Sequence, residues 1–149
     1  MAVQVGDKVP LFIATDSNGN SFDISQYTDK PLVIYFYPKD DTPGCTIQAC
    51  TFRDQYQDFK DLGAEVIGIS SDSVQSHQKF IKRYKLPFIL LSDFDKKIRN
   101  KFGVPNDLFG LLPGRATYVT DKEGIIQLIF DSTSSKIHIQ KALQILKRM

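Results

Sequence analysis

The chain switches between two hydrophobic periods, and the switches mark its elements. LFIATDSNGNSFDI (11–24) reads as two short strands around a turn at Ser17 to Asn20. PLVIYFYP (31–38) is a continuous apolar run, the pattern of a strand covered on both faces. From Pro43 the spacing becomes helical: Phe52, Tyr56, Phe59 and Leu62 share one stripe, and Gly63 supplies a stop. AEVIGISSD (64–72) is a second buried strand, and SVQSHQKFIKRYKLP (73–87) a helix closed by Pro87. FILLSD (88–93) is a short strand, DKKIRNKFG (95–103) a short helix ending at Gly103, and NDLFGLLPG (106–114) a loop. RATYVTDKEGIIQLIFD (115–131) gives two strands around a tight turn at Lys122 to Gly124. SSKIHIQKALQILKRM (134–149) is an amphipathic helix with Ile139, Leu143 and Leu146 on one face.

Strands alternating with helices imply a mostly parallel sheet, and the late hairpin adds an antiparallel pair. The expected fold is therefore α/β and thioredoxin-like: a central mixed β-sheet flanked by helices, with an N-terminal β-hairpin. No repeat, low-complexity segment or linker interrupts the 149 residues, which suit a single domain over 1–149. That length buries about two-thirds of the unfolded chain's surface without staples. In open α/β sheets ligands bind beyond the carboxyl ends of the strands. YPKDDTPGC (37–45) occupies such a position, at the end of the first buried run and the start of a helix.

Composition removes several function classes. The net charge of +2 and pI near 8.5 are too mild to point to nucleic acid. No apolar run approaches the ~20 residues of a membrane span. The opening MAVQVGDKVP lacks the charged-then-apolar layout of a secretory signal. The expectation is a cytoplasmic protein or a mature organellar form whose transit peptide has been removed. Two cysteines are too few for a secreted disulfide scaffold. With two distant histidines they have no zinc-like spacing, so neither a metal nor another cofactor is expected.

Both cysteines lie in one stretch, YPKDDTPGCTIQAC. Cys45 follows Pro43 and Gly44, which places it in the first helical turn, where backbone N–H groups are unpaired and favour an anion such as a thiolate. The helix dipole contributes about 0.3–1 kcal/mol, at most about 2. Magnitude limits what this achieves. An ordinary thiol is already ~3% ionised at neutral pH, so full ionisation gains about thirtyfold at most, and nucleophilicity falls as acidity rises. A fast peroxide-reducing enzyme needs more, and the remainder must come from stabilising the oxygen that leaves as O–O breaks. The N–H groups of Gly44 and Cys45, a hydroxyl and a guanidinium fit that need. Thr42 can turn its hydroxyl over the same spot, and Pro38 can shield the thiolate from water.

Cys50 is five residues on. In a regular helix positions i and i+5 are ~140° apart around the axis and ~7.5 Å apart along it, a Cα separation of roughly 8.7 Å. A disulfide needs less than about 7 Å. The two thiols can join only if a turn unwinds, which suits a reversible, gated disulfide better than a structural one. Pro43-Gly44 at the helix start and the weak helix formers Thr46 and Thr51 agree with this.

Pro38, Thr42 and Cys45 form P-x-x-x-T-x-x-C, the pattern of the peroxiredoxins. With a second cysteine in GCTIQAC-FRD, the chain resembles the bacterioferritin comigratory protein/peroxiredoxin Q subfamily. The resemblance runs from VGDKVPLF through GAEVIGIS and LLSD to GRATYV. It implies a thiol peroxidase that reduces hydrogen peroxide and alkyl hydroperoxides. Cys45 is then the peroxidatic cysteine, oxidised to a sulfenic acid, and Cys50 the resolving cysteine that condenses with it into an intramolecular disulfide. Thr42 orients the peroxide, with Pro38 and Gly44 at the binding position. Arg115, in GRATYV, supplies the guanidinium. A thioredoxin-type dithiol restores the thiols, and the subfamily leans to a monomer. Gln48 stands where other peroxiredoxin classes carry a glutamate, which leaves the hydrogen bonding around Arg115 open.

Other readings compete. A thioredoxin-like oxidoreductase acting on protein disulfides prefers C-x-x-C, and the residue three after Cys45 is Gln48. A redox-switched holdase or adaptor needs only the gated helix. Thr42 can serve as a helix cap. His77 and His138, isolated on helices, read as solvated, and KFIKRYK (79–85) reads as a wet helix face.

Overall fold

The computed structural model describes residues 2–107 and 112–149. The N-terminal hairpin pairs β1 (Ile13–Asp16) with β2 (Ser21–Asp23), and a 3-10 turn at Ile24–Gln26 follows. Its turn is built by Asp16, whose carboxylate accepts from the N–H of Asn18 and Asn20 at 2.9 Å each. The apolar run 31–38 supplies β3 (Leu32–Phe36), every residue of it buried. Beyond it come β4 (Glu65–Ser70), β5 (Ile89–Ser92), β8 (Ala116–Thr120) and β9 (Ile126–Asp131). One seven-stranded sheet runs β2-β1-β5-β4-β3-β8-β9, with β3, β4 and β5 parallel and the remaining pairings antiparallel. The mixed sheet and the hairpin at its edge agree with the sequence expectation, but the sheet is not mostly parallel: two of its six pairings are, because both the N-terminal hairpin and β8 join the parallel strands in the antiparallel sense.

Alternation along β3 divides the core. Val33, Tyr35 and the following Tyr37 face α1 (Pro43–Asp54), α2 (Tyr56–Asp61), α3 (Val74–Tyr84) and α5 (Ile137–Arg148), whose Phe52, Phe59, Phe80 and Ile139 fill that side. Leu32, Ile34 and Phe36 face the opposite layer, closed by α4 (Lys97–Phe102) and by Phe12 and Phe22 around the hairpin. Burial of both faces is why this run carries no alternation of polarity.

Three local differences from the sequence reading have physical causes. The helix expected from Pro43 to Gly63 is two helices, because Gln55 leaves the helical region (φ −108°, ψ 12°). The break keeps Phe52 and Phe59 in one core, their rings 5.6 Å apart. Helix α3 ends at Tyr84, before Pro87, because Lys85 adopts a left-handed conformation (φ 54°) and its N–H caps the Ile81 carbonyl. The segment read as a loop at 106–114 carries the short antiparallel pair β6 (Asn106–Asp107) and β7 (Leu112–Pro113); the remainder of that reading, 108–111, lies outside the described residues. No helix among the described residues is long and apolar enough to cross a membrane.

Candidate active site

Pro43 opens α1 as its first residue, where a missing N–H costs nothing. Cys45 is therefore the third helical residue. The first α1 hydrogen bond runs from Thr46 N–H to the Thr42 carbonyl at 2.8 Å, so the N–H groups of Gly44 and Cys45 precede the ladder. Cys45 is buried, only 1% exposed, while Cys50 is half-buried on the same unbroken helix. Both thiols are free. Helix α1 is intact across both.

Arg115 leads into β8, next to β3 in the sheet, and is 6% exposed. Its Nη2 donates to Cys45 Sγ at 3.4 Å across 70 positions of chain. Its Nη1 donates to Gln48 Oε1, one helical turn after Cys45. Gln48 thus takes the place left open in the sequence: its carbonyl oxygen accepts from the arginine as a carboxylate does, without the negative charge. Gly44 makes room for the guanidinium, because a Cβ there meets Arg115 Nη2 at 3.1 Å. The Gln48 Nε2 amide has no hydrogen-bond partner among the described residues and is buried beside this pair.

Thr42 occupies the position before α1 but does not cap it with its side chain. Its hydroxyl donates to the Lys39 carbonyl at 2.9 Å. That corrects the capping reading and has a chemical consequence: with its proton committed, the Thr42 oxygen presents lone pairs and can accept from an incoming O–H. Pro38 ends the β3 run half-buried. Behind the thiol, Tyr35 stacks on Phe52 of α1 at 4.6 Å. Burial, reinforced by Cys45, holds the Tyr35 phenol well above its ordinary range, so it stays neutral.

Both histidines depart from the sequence reading, since each is fully buried. His77 lies against Asp40 (Nδ1 to Oδ2, 2.6 Å) and the Leu91 carbonyl (Nε2, 3.0 Å). His138 joins Thr117 Oγ1 and the Ser132 carbonyl, each at 2.8 Å. Asp40, Leu91 and Thr117 lie 37, 14 and 21 residues from the histidines they meet, which is why isolated histidines read as solvated. A signal was available: His77 falls three residues before the core residue Phe80, and His138 four before Ala142, so each continues an apolar stripe. Lys79, Lys82, Arg83 and Lys85 of the KFIKRYK run are exposed as expected. The ligand atoms of Asp40, Asp72 and His77 lie within 4.8 Å of one another. Both Asp40 oxygens and Asp72 Oδ2 already engage the hydrogen-bonding groups of Tyr37, Ser76, His77, Ser70 and the Asp40 backbone, so hydrogen bonding accounts for the cluster.

A sequence model described as the AhpC/TSA family matches residues 5–129. The chain is 51% identical over 148 residues to a protein of Sedum lineare named "Peroxiredoxin Q, chloroplastic", covering 99% of this chain and 80% of that one. The crystal structure of "Peroxidoxin BcpB" from Mycobacterium tuberculosis superposes with a TM-score of 0.90 at 35% identity, covering 98% and 97% of the two chains. The bacterioferritin comigratory protein of Xanthomonas campestris, in a study of its "alkyl peroxide reduction activity", superposes with a TM-score of 0.86 at 30% identity over 95% and 98%.

Proposed function

We propose that this chain, which belongs to the AhpC/TSA family and within it to the peroxiredoxin Q group, is a thiol-dependent peroxidase with its chemistry centred on Cys45. The observation that carries the assignment of the site is the Arg115 guanidinium 3.4 Å from the Cys45 sulfur at the start of α1. The guanidinium and the helix N-terminus both set positive charge beside the Cys45 sulfur. The thiolate attacks one peroxide oxygen, the S–O bond forms as O–O breaks, and the leaving oxide takes up a proton to depart as water or alcohol. Arg115 and the N–H groups of Gly44 and Cys45 stabilise the charge developing on the oxygens. The Thr42 oxygen accepts from the peroxide O–H, and Pro38 limits water at the thiolate.

Cys45 is left as a sulfenic acid. The Cys50 thiol then attacks its sulfur and releases water, forming the intramolecular disulfide once part of α1 has unwound. Returning that disulfide to two thiols takes two electrons, which supports a thioredoxin-type dithiol as reductant. The exposed helix faces support a monomer comprising one domain. The chloroplast named in the relatives favours the organellar form over the cytoplasmic one. The testing measurement is stopped-flow oxidation of the reduced protein by hydrogen peroxide. A second-order rate far above that of a free thiolate, abolished in Cys45→Ser, is expected; a rate no better than a free thiol's rejects the assignment.

A further inference from the structure

The segment between β3 and α1 carries two consecutive aspartates that point to opposite sides. Asp40 turns inward and is 6% exposed. Its Oδ1 accepts from Tyr37 Oη at 2.6 Å, and its Oδ2 accepts from Ser76 Oγ at 2.8 Å and meets His77 Nδ1 at 2.6 Å. Its backbone N–H donates to Asp72 Oδ2 at 2.8 Å. Asp41 turns outward with a left-handed backbone (φ 63°), a conformation that costs a non-glycine residue about 1–2 kcal/mol. Arg83 and Tyr84 of α3 hold its carboxylate at 3.2 and 3.1 Å.

His77 completes the inward half. Its Nε2 faces the Leu91 carbonyl, which only accepts, so Nε2 carries a proton. The Asp40–His77 contact then holds one further proton between a buried carboxylate and a buried imidazole. Breaking one side leaves the other buried without its partner, which costs far more than an exposed pair. None of this is needed to close the fold, since β3 is already paired on both sides. What it fixes is the backbone from Pro38 to Thr42, the strand-to-helix segment that sets where the Thr42 oxygen and the first N–H groups of α1 stand.

We propose that Asp40 and His77 form a positioning clamp for the peroxidase reaction, holding the 38–42 segment so that Thr42 and the start of α1 keep their places around the peroxide. The proposal rests on the peroxidase reading. Among the described residues the partners of Asp40 lie on the segment after β3, the segment after β4, or α3, and none lies on α1. The clamp therefore stays shut while α1 unwinds for the disulfide, and the helix re-forms from a fixed start.

The test compares two reactions of the same thiol. Peroxide oxidation of Cys45 needs the clamped segment, whereas alkylation by iodoacetamide, read at Cys45 by peptide mass, needs only an accessible thiolate. In His77→Ala the peroxide rate is expected to fall about tenfold or more relative to alkylation, in line with the cost of an ångström-scale misplacement. His77→Asn, whose amide can donate in place of Nδ1, is expected to recover most of it. Equal losses in both reactions, or no loss in either, overturn the clamp. If His77→Ala does not fold, His77→Asn and Asp40→Asn carry the same comparison. Wild type run alongside separates the failures: a slow wild type rejects the peroxidase reading, whereas a fast wild type with equally fast variants rejects the clamp alone. The downfield proton of the Asp40–His77 bond in NMR should persist in the disulfide form, and its disappearance on oxidation overturns the fixed start.

Discussion

Arg115 binds Cys45 and Gln48 at once, with one guanidinium nitrogen on the sulfur and another on the amide oxygen. A residue 70 positions away thus ties the thiol to the next turn of its own helix. Arg115→Met should lower the second-order rate of peroxide oxidation by about 100-fold or more, the scale seen when one donor to a developing oxyanion is removed. Arg115→Lys should recover only part, because a point charge cannot hold Gln48 and face the sulfur together. Gln48→Ala should cost less, about tenfold, since the arginine remains but is free to turn. Stopped-flow rates on the three variants check the order. A Gln48→Ala loss as large as that of Arg115→Met would mean that the glutamine acts directly.

Cys50 is half-buried and lies five residues after Cys45 on the intact α1, too far along the helix to touch it. Cys50→Ser should therefore leave the first oxidation at near wild-type rate while turnover with a dithiol reductant collapses. Without a resolving thiol, Cys45 should pass to sulfinic acid under excess peroxide, a gain of two oxygens by mass spectrometry. Wild type should resist this, because a local melt brings Cys50 to the sulfenic acid. Loss of the first step in Cys50→Ser would show that Cys50 shapes the site as well as resolving it.

The strands and helix starts were legible because their causes are local. PLVIYFYP has no polar residue to alternate, and Pro43-Gly44-Cys45 writes a helix start and its chemistry into three adjacent residues. Arg115 was legible only through the resemblance, because nothing near it in sequence says that β8 lies beside β3. The partners of the buried histidines and the Asp40 network were not legible. Each depends on partners brought together by the sheet order: Asp40 meets His77 across 37 residues, and His138 meets Thr117 across 21. The apolar stripe that each histidine continues hints at burial, but the acceptors that satisfy it are brought in only by the fold.

His138 sets an acid limit on the fold. Burial lowers its imidazole from the ordinary 6.5 to about 4; the Ser132 carbonyl pulls the other way and the Arg115 charge adds to the lowering. The folded value lies below the unfolded one, so the folded state resists the proton. Above about pH 6.5 neither state is protonated and no penalty exists. As pH falls from 6.5 towards 4 the unfolded chain takes up a proton that the folded one does not, and stability drops by up to about 3 kcal/mol. Urea midpoints measured from pH 7.5 to 4 should show wild type losing this increment relative to His138→Gln, whose amide does not titrate. Parallel curves for the two proteins would assign the acid loss to the carboxylates alone.

Gly68, in the middle of β4, is where the backbone yields space to the ring behind the site. A Cβ there meets Leu90 Cδ2 at 2.6 Å, Tyr35 Cζ at 2.8 Å and Tyr35 Oη at 2.9 Å. The Tyr35 ring has little freedom to withdraw, being packed between Tyr37 at 5.3 Å and Phe52 at 4.6 Å. Gly68→Ala should therefore destabilise by about 1–3 kcal/mol, the usual cost of overpacking, and lower Tm by several degrees in a chain of this size. The Tyr35 hydroxyl is buried and finds no partner among the described residues. Tyr35→Phe removes both that unsatisfied group and one of the three contacts, so alone it should be neutral or stabilising. In the Gly68→Ala background it should restore part of the loss but not all, because Leu90 and the ring carbon remain in the way. Full additivity of the two changes in a double-mutant cycle would mean that the backbone moves instead of the ring.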